Sequence, residues 1–246
     1  MGLPKLETPV LMATLPVTGT EIEYRPFTVR EESLMNIIAN DQARDDFELE
    51  AAASMAKLIE ACVLTKMDTE KLPLLDAEFI FLKIKEASSG EVFKKVFICK
   101  NETDGKECGN QIEVEARVDD AELIGIDEME NPLVQISDEI SLMLKIPSLE
   151  TLVKTAKKNH ESVEMMNLDL LANNIESVVY GEETYTDFTN DELIEKILMN
   201  MQAAQLEKVS SFIQSLPKLK LVKEFTCPKC GFDHKIEVES LINFFA

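Results

Sequence analysis

The chain has 246 residues, with 46 acidic against 25 basic side chains and a net charge of −21. Phosphate backbones and anionic membrane surfaces repel such a chain. With no tryptophan and only 6% aromatic residues it also lacks the stacking surface of a nucleic-acid binder, so neither nucleic acid nor membrane is an expected partner.

The 45% hydrophobic content fills one large core or two smaller ones. Residues Met1–Glu7 carry no basic stretch followed by an apolar run, and position 6 is leucine rather than the Ser or Thr of a myristoylation signal. No uncharged apolar stretch reaches the roughly 18 residues of a membrane span. The expectation is a soluble intracellular protein, in which five cysteines serve metal or core rather than disulfides.

In chain order, Val10–Pro16 and Thr20–Tyr24 flank the turn signal Val17-Thr18-Gly19 and predict a β-hairpin. Thr28 and Glu31 have capping-box spacing and open a predicted helix with Leu34, Ile37 and Ile38 on its apolar face. Leu49, Ala52, Met55, Ile59, Cys62 and Val63 recur at helical spacing and predict a helix from about Asp46 to Lys66. A third helix is expected over Asp76–Ala87, after Pro73 and ended by Ser88-Ser89-Gly90.

The period then becomes two. Ile112, Val114, Ala116 and Val118 alternate with charged residues, and Ile140, Leu142, Leu144 and Ile146 alternate before Pro147; both read as strands. Leu149 to Leu216 reads as mostly helical. One helix carries Leu168, Leu171, Ile175, Val178 and Val179 and ends near Gly181. A second, long helix begins at the Thr189/Glu192 capping box and stops at Pro217.

One cysteine pattern occurs twice. Phe97-Ile98-Cys99 and Cys108-Gly109 lead into Ile112-Glu113-Val114-Glu115; Phe225-Thr226-Cys227 and Cys230-Gly231 lead into Ile236-Glu237-Val238-Glu239. Each copy resembles half of a tetrahedral metal site, and the two together supply Cys99, Cys108, Cys227 and Cys230 for a structural Zn²⁺ in a zinc ribbon. Two residues separate the second pair and eight polar ones the first, a loop able to bulge outward without moving the sulfurs. A redox role for Cys227 and Cys230 is the competing reading, although such pairs usually open a helix. His234 is read as an exposed hairpin residue, Cys62 as core, and His160 as a solvated helix position.

No nucleophile, metal-protease or phosphate-loop pattern accompanies these residues, so no catalytic residue is assigned and the chain is not expected to be an enzyme. Asp187–Asp191 lacks the central glycine and terminal Glu of a calcium loop. Arg25-Pro26-Phe27 is read as a fixed turn with Phe27 packed at a helix start; a partner-docking corner is the alternative. The eleven methionines are read as core packing, with an adaptable partner-binding face as the alternative, and the apolar tail Leu241–Ala246 is read as packed, with docking as the alternative.

Leu15–Gly19, Tyr24–Glu32, the segment Asp76–Gly90, Leu216–Leu219, Cys227–Gly231 and Phe244-Phe245 together resemble the T-even-type phage baseplate protein family over nearly the whole chain. The long Cys99–Cys108 loop and Ser88-Ser89 depart from the pattern. The resemblance implies a non-enzymatic protein of baseplate hub assembly, either an assembly chaperone or a hub component. Its partners would be baseplate hub proteins, and its place the cytoplasm of the infected host or the virion baseplate. A zinc-ribbon nucleic-acid adaptor and a thiol oxidoreductase using Cys227 and Cys230 are the alternatives.

The expected fold is α+β, mostly helical, with an N-terminal hairpin and one small antiparallel zinc-ribbon-like sheet formed by the two distant cysteine hairpins. A single discontinuous domain is expected: a hairpin at 1–27, a helical region at 28–90, cysteine hairpins at 91–120 plus 217–246, and a mainly helical insertion at 121–216.

Overall fold

The computed structural model describes residues 6–32, 47–90, 93–103, 105–117, 120–125 and 132–238. The predicted helix positions Leu34, Ile37 and Ile38 and the tail 241–246 lie outside the described residues. The fold is α+β, and it is not mostly helical: six α-helices and thirteen strands alternate among the described residues, and every paired strand is antiparallel.

β1 (Leu11–Thr14) and β2 (Glu21–Tyr24) form the predicted hairpin. α1 (Phe47–Cys62) stops one turn earlier than its pattern suggests. The chain beyond it is captured by β2: Arg25 N–H donates to the Cys62 carbonyl and Leu64 N–H to the Glu23 carbonyl. α2 (Leu74–Ser89) follows Pro73 and ends at Gly90, as the sequence predicts.

α2 is apolar on two sides and is buried on both. Ala77, Ile80, Phe81 and Ile84 enter a first core with Leu15, Ile22, Met55, Leu58 and Ile59. Leu75 and Leu82 enter a separate core with Ala116, Leu219 and Leu221, under the cysteine hairpins. The fully buried carboxylate of Asp76, in the first turn of α2, accepts from the amides of Val17 and Thr18 at 2.7 and 3.1 Å. That bond pins the β1–β2 turn to α2.

Hydrogen bonds hold the segment Arg25-Pro26-Phe27 in place, and the helix expected behind Phe27 lies largely outside the described residues. Arg25 donates to the Glu31 carboxylate and to the Ala61 carbonyl, and Phe27 N–H donates to Ser88 Oγ. Glu31 also accepts from the amide and hydroxyl of Thr28, both at 2.7 Å, which is the carboxylate half of the predicted capping box.

A second large core lies beneath a four-stranded sheet of order β11-β10-β9-β8. Its strands are β8 (Leu133–Gln135), β9 (Ile140–Leu144), β10 (Ile175–Tyr180) and β11 (Glu183–Tyr185). α3 (Leu149–Ala156) opens at a Ser148 cap, and its Leu149 and Val153 join the first core instead. α4 (Val163–Asn173), α5 (Asn190–Lys196) and α6 (Ala203–Ser215) pack on the sheet.

Two helix expectations are corrected here. The predicted helix through Val179 ends at Asn173, where the Asn174 side chain donates to the Leu170 carbonyl, and Ile175, Val178 and Val179 belong to β10. Their β-branched side chains suit a strand. The long helix from Thr189 is two helices. Asn200 caps the carbonyls of Glu195 and Lys196, closing α5, and the Gln205 side chain accepts from the Gln202 amide, opening α6. The Thr189/Glu192 capping box itself forms as predicted.

His160 is not a solvated helix residue. It lies in the α3–α4 connection with its side chain 12% exposed, and Nε2 is 3.4 Å from buried Asp169. Lys158, at 2.6 Å, and the Asn190 amide complete the shell of that carboxylate, joining three segments.

Replacing Asp76 by Ala leaves the Val17 and Thr18 amides without their acceptor, and is expected to cost about 3 kcal/mol in urea unfolding. A second prediction concerns acid. Burial pushes the Glu31 carboxyl up, but the Arg25 guanidinium and the Thr28 donors outweigh it and bring the group from 4.5 to about 2. A depressed native value stabilises the fold fully above about pH 4.5, and the contribution disappears as pH falls toward 2, amounting to roughly 3 kcal/mol. The stability gap between wild type and Glu31→Gln should therefore narrow between about pH 6 and pH 2.5.

Candidate metal centre

The two cysteine motifs fold alike. β3 (Phe93–Ile98) pairs with β6 (Gln111–Ala116), and β12 (Lys218–Thr226) pairs with β13 (Asp233–Val238). At the tip of each hairpin the first cysteine amide donates to the carbonyl two residues past the second cysteine: Cys99 to Asn110, and Cys227 to Phe232, both at 2.8 Å. The glycine after each pair donates back to the first cysteine carbonyl, Gly109 to Cys99 and Gly231 to Cys227, both at 2.9 Å. Both glycines have positive φ, 62° and 69°, the left-handed conformation that a side chain disfavours. The motif's glycine is therefore a requirement of the turn.

The eight-residue spacing in the first pair is resolved by a small ribbon. β4 (Glu102–Thr103) and β5 (Lys106–Glu107) pair with each other, and the Cys108 amide closes onto the Asn101 carbonyl at 2.7 Å. The extra residues leave the turn and return to it, so Cys99 and Cys108 are presented as Cys227 and Cys230 are.

The hairpins do not merge into one sheet, which corrects that part of the expectation. β12 instead takes β7 (Ala121–Ile124) as its second neighbour, in a sheet of order β13-β12-β7. The chain leaving the first cysteine hairpin is thereby stitched to the second. Gly125 follows at φ +80, where a Cβ would stand 3.3 Å from the Ser215 carbonyl oxygen and 3.4 Å from Pro217 Cα.

All four predicted cysteines converge. Their sulfurs lie within 4.8 Å of one another, and Cys99, Cys108 and Cys227 are buried. The Cys99–Cys230 and Cys108–Cys227 separations are 3.7 and 3.8 Å. Such a set of thiols can hold a metal ion. Cys62 lies apart, fully buried in the first core, and burial raises its thiol to about 11.

Burial also pushes the Cys99 thiol up, to about 12. At Cys227 burial pushes the same way, but the amides of Cys230 and Lys229 and the neighbouring sulfurs reverse it and bring the thiol to about 6. A metal that takes every sulfur as thiolate must displace the remaining protons, so its affinity falls as pH falls.

Outer contacts that sequence reasoning missed surround the sulfurs. The Asn101 amide reaches Cys230 Sγ at 3.6 Å, the Asn110 amide reaches Cys227 Sγ at 3.7 Å, and Lys229 donates to the Cys108 carbonyl at 2.7 Å. Each crosses from one hairpin to the other. His234, read as exposed, is half-buried instead: its ring sits among Phe97, Phe225 and Phe232, and Nε2 is 3.1 Å from Cys99 Sγ. The repeated phenylalanine two residues before each motif's first cysteine was the signal for this, since Phe97 and Phe225 meet edge to face at 5.4 Å.

A protein-family profile described as T4 bacteriophage base plate protein matches residues 8–246. The chain belongs to that family. No curated protein and no solved structure gives a match. For this baseplate protein no helix among the described residues is long and apolar enough to cross a membrane.

Because Asn101 and Cys108 already face each other across the mouth of the ribbon, excising residues 102–107 leaves two residues between Cys99 and Cys108. The shortened chain is expected to retain a four-thiolate site, read from the charge-transfer absorption of added Co²⁺. Loss of that absorption in a folded variant would show that the ribbon shapes the site.

Proposed function

We propose that this baseplate protein is a non-enzymatic factor of hub assembly, an assembly chaperone or a hub component, that works by binding hub proteins. Its Cys99, Cys108, Cys227 and Cys230 would hold a structural Zn²⁺. The observation that carries the reading is the family match over residues 8–246, because it spans both cysteine motifs and everything between them.

The sulfur geometry supports zinc. Zn–S bonds of about 2.3 Å in a tetrahedron place neighbouring sulfurs about 3.8 Å apart, the distance at the Cys99–Cys230 and Cys108–Cys227 edges. Four thiolates fill the shell and leave no position for water or substrate, so such an ion stabilises a fold rather than performing chemistry. The remaining residues act around it: Asn101, Asn110 and His234 direct donors at the sulfurs, and outer-shell donors of this kind hold ligands in place. A thiol oxidoreductase is disfavoured by strands flanking Cys227 and Cys230 on both sides.

The discontinuous-domain reading fits this role, since the ion would join residues 99–108 to residues 227–230. A net charge of −21 suits a factor that stays soluble while it engages a basic partner surface. Function is expected in the infected cell during hub construction, and in the virion if the protein is a hub component.

Elemental analysis of the untagged protein should find one zinc per chain. Cys227→Ser should abolish it and lower the melting temperature by more than 10 °C, since structural zinc contributes on the order of 10 kcal/mol in small zinc folds. A metal-free wild type with unchanged stability would overturn the zinc assignment. For the assembly role, phage deprived of this protein should accumulate unassembled hub proteins; normal hubs in its absence would overturn that role. Mass spectrometry of finished tails separates component from chaperone.

A further inference from the structure

The four-stranded sheet treats its two edges differently. At the β8 edge, α6 lies across the end: Gln205 donates to the Ile136 carbonyl at 3.0 Å and Lys208 to the Gln135 carbonyl at 3.2 Å. At the other edge, all three residues of β11 are exposed, and among the described residues no strand pairs with its outer side. β10 and β11 form a two-residue hairpin with Tyr180 opposite Glu183, Val179 opposite Thr184 and Val178 opposite Tyr185. In such a hairpin the closing pair exchanges its backbone bonds and the next pair does not. The amide and carbonyl of Thr184 therefore face outward, a ready template for another strand.

Beside this edge opens a pocket of about 350 Å³. Val178, Tyr180 and Tyr185 line it from the sheet, and Phe188, Leu193 and Ile197 from the α5 side. Tyr180 and Tyr185 are each nearly half exposed. Their hydroxyls are engaged by carboxylates, Tyr180 by Glu139 and Tyr185 by Glu183. Side chains alternate along a strand, so a residue paired opposite Tyr185 on an added strand would fall on the face where the pocket opens.

The surroundings are acidic. Glu182, Glu183 and Asp187 flank the edge, and Lys196, the cation at the pocket wall, is engaged by Glu192 at 3.1 Å.

We propose that β11 and this pocket form a docking groove for an extended, lysine- or arginine-rich segment of a partner protein. The segment adds a strand to the sheet at β11 and seats one large apolar side chain in the pocket. The docking groove shares no residue with the cysteine cluster and does not depend on zinc or on the hub role.

The probe is a synthetic peptide, acetyl-Lys-Val-Lys-Phe-Lys-Val-Lys-amide, titrated into the full chain by isothermal titration calorimetry. Two further versions are N-methylated on alternate amides, so that only one of them blocks the amides facing β11. Expected are saturable binding and a loss of about tenfold for one methylated version only, the effect of losing backbone hydrogen bonds. Exchanging the central phenylalanine for alanine should weaken binding similarly, and so should Thr184→Pro, which removes the outward donor. In the wild type the Thr184 amide should exchange fast alone and slow when the peptide is bound. No binding, equal affinity for both methylated versions, or a Thr184 amide already protected in the free protein would each overturn the proposal. The peptide modifications leave the protein untouched, so the result stands even if Thr184→Pro misfolds.

Discussion

The convergence of four sulfurs is the constraint on which the arrangement depends. Cys108 and Cys227 are 119 positions apart, and the chain between them contains an entire sheet with its own core. Bringing such distant residues together costs loop-closure entropy that grows slowly with length. The turns, the crossed contacts from Asn101, Asn110 and Lys229, and the Phe97–Phe225 ring contact all act at this one junction. β7 reinforces it by joining the first hairpin's outgoing chain to β12, and α2 supports it from below through Leu75 and Leu82.

A chain this acidic meets a second problem, which is where to use carboxylates inside. It places a few of them where backbone amides or cations surround them. Asp76 holds the first hairpin to α2, Glu31 ties Arg25 to the Thr28 turn, and Asp169 gathers Lys158, His160 and Asn190. Buried carboxylates are tolerated when hydrogen-bonded and paired. Each of these ties together residues from different segments of the chain. The same acidity on the outside disfavours self-association.

Most local elements were legible because their signals are local. The first hairpin, α2 between Pro73 and Gly90, the Thr189 cap and β9 follow from turn chemistry, caps and periodicity. The cysteine cluster was legible because the cysteine pattern repeats with its flanking Phe and Ile-Glu-Val-Glu. What failed were the helices over Leu168–Val179 and Thr189–Leu216. There an apolar period compatible with a helix continues through Asn174 and Asn200, and the side-chain hydrogen bonds of those residues decide the outcome. The single merged sheet also failed, because strand partners are chosen in three dimensions and β7 competes for the edge of β12. His160 and His234 were misjudged for the same reason: their neighbours, Asp169 and Cys99, come from elsewhere in the chain.

The order of the two cysteine pairs has a consequence for synthesis. A growing chain displays Cys99 and Cys108 long before Cys227 and Cys230 have been added. Until then the early hairpin has thiols but no facing knuckle, and the Phe97 ring has no Phe225 to cover it. Sealing the junction is therefore a late event, and a fragment released before Cys227 keeps an unsealed pair of thiols.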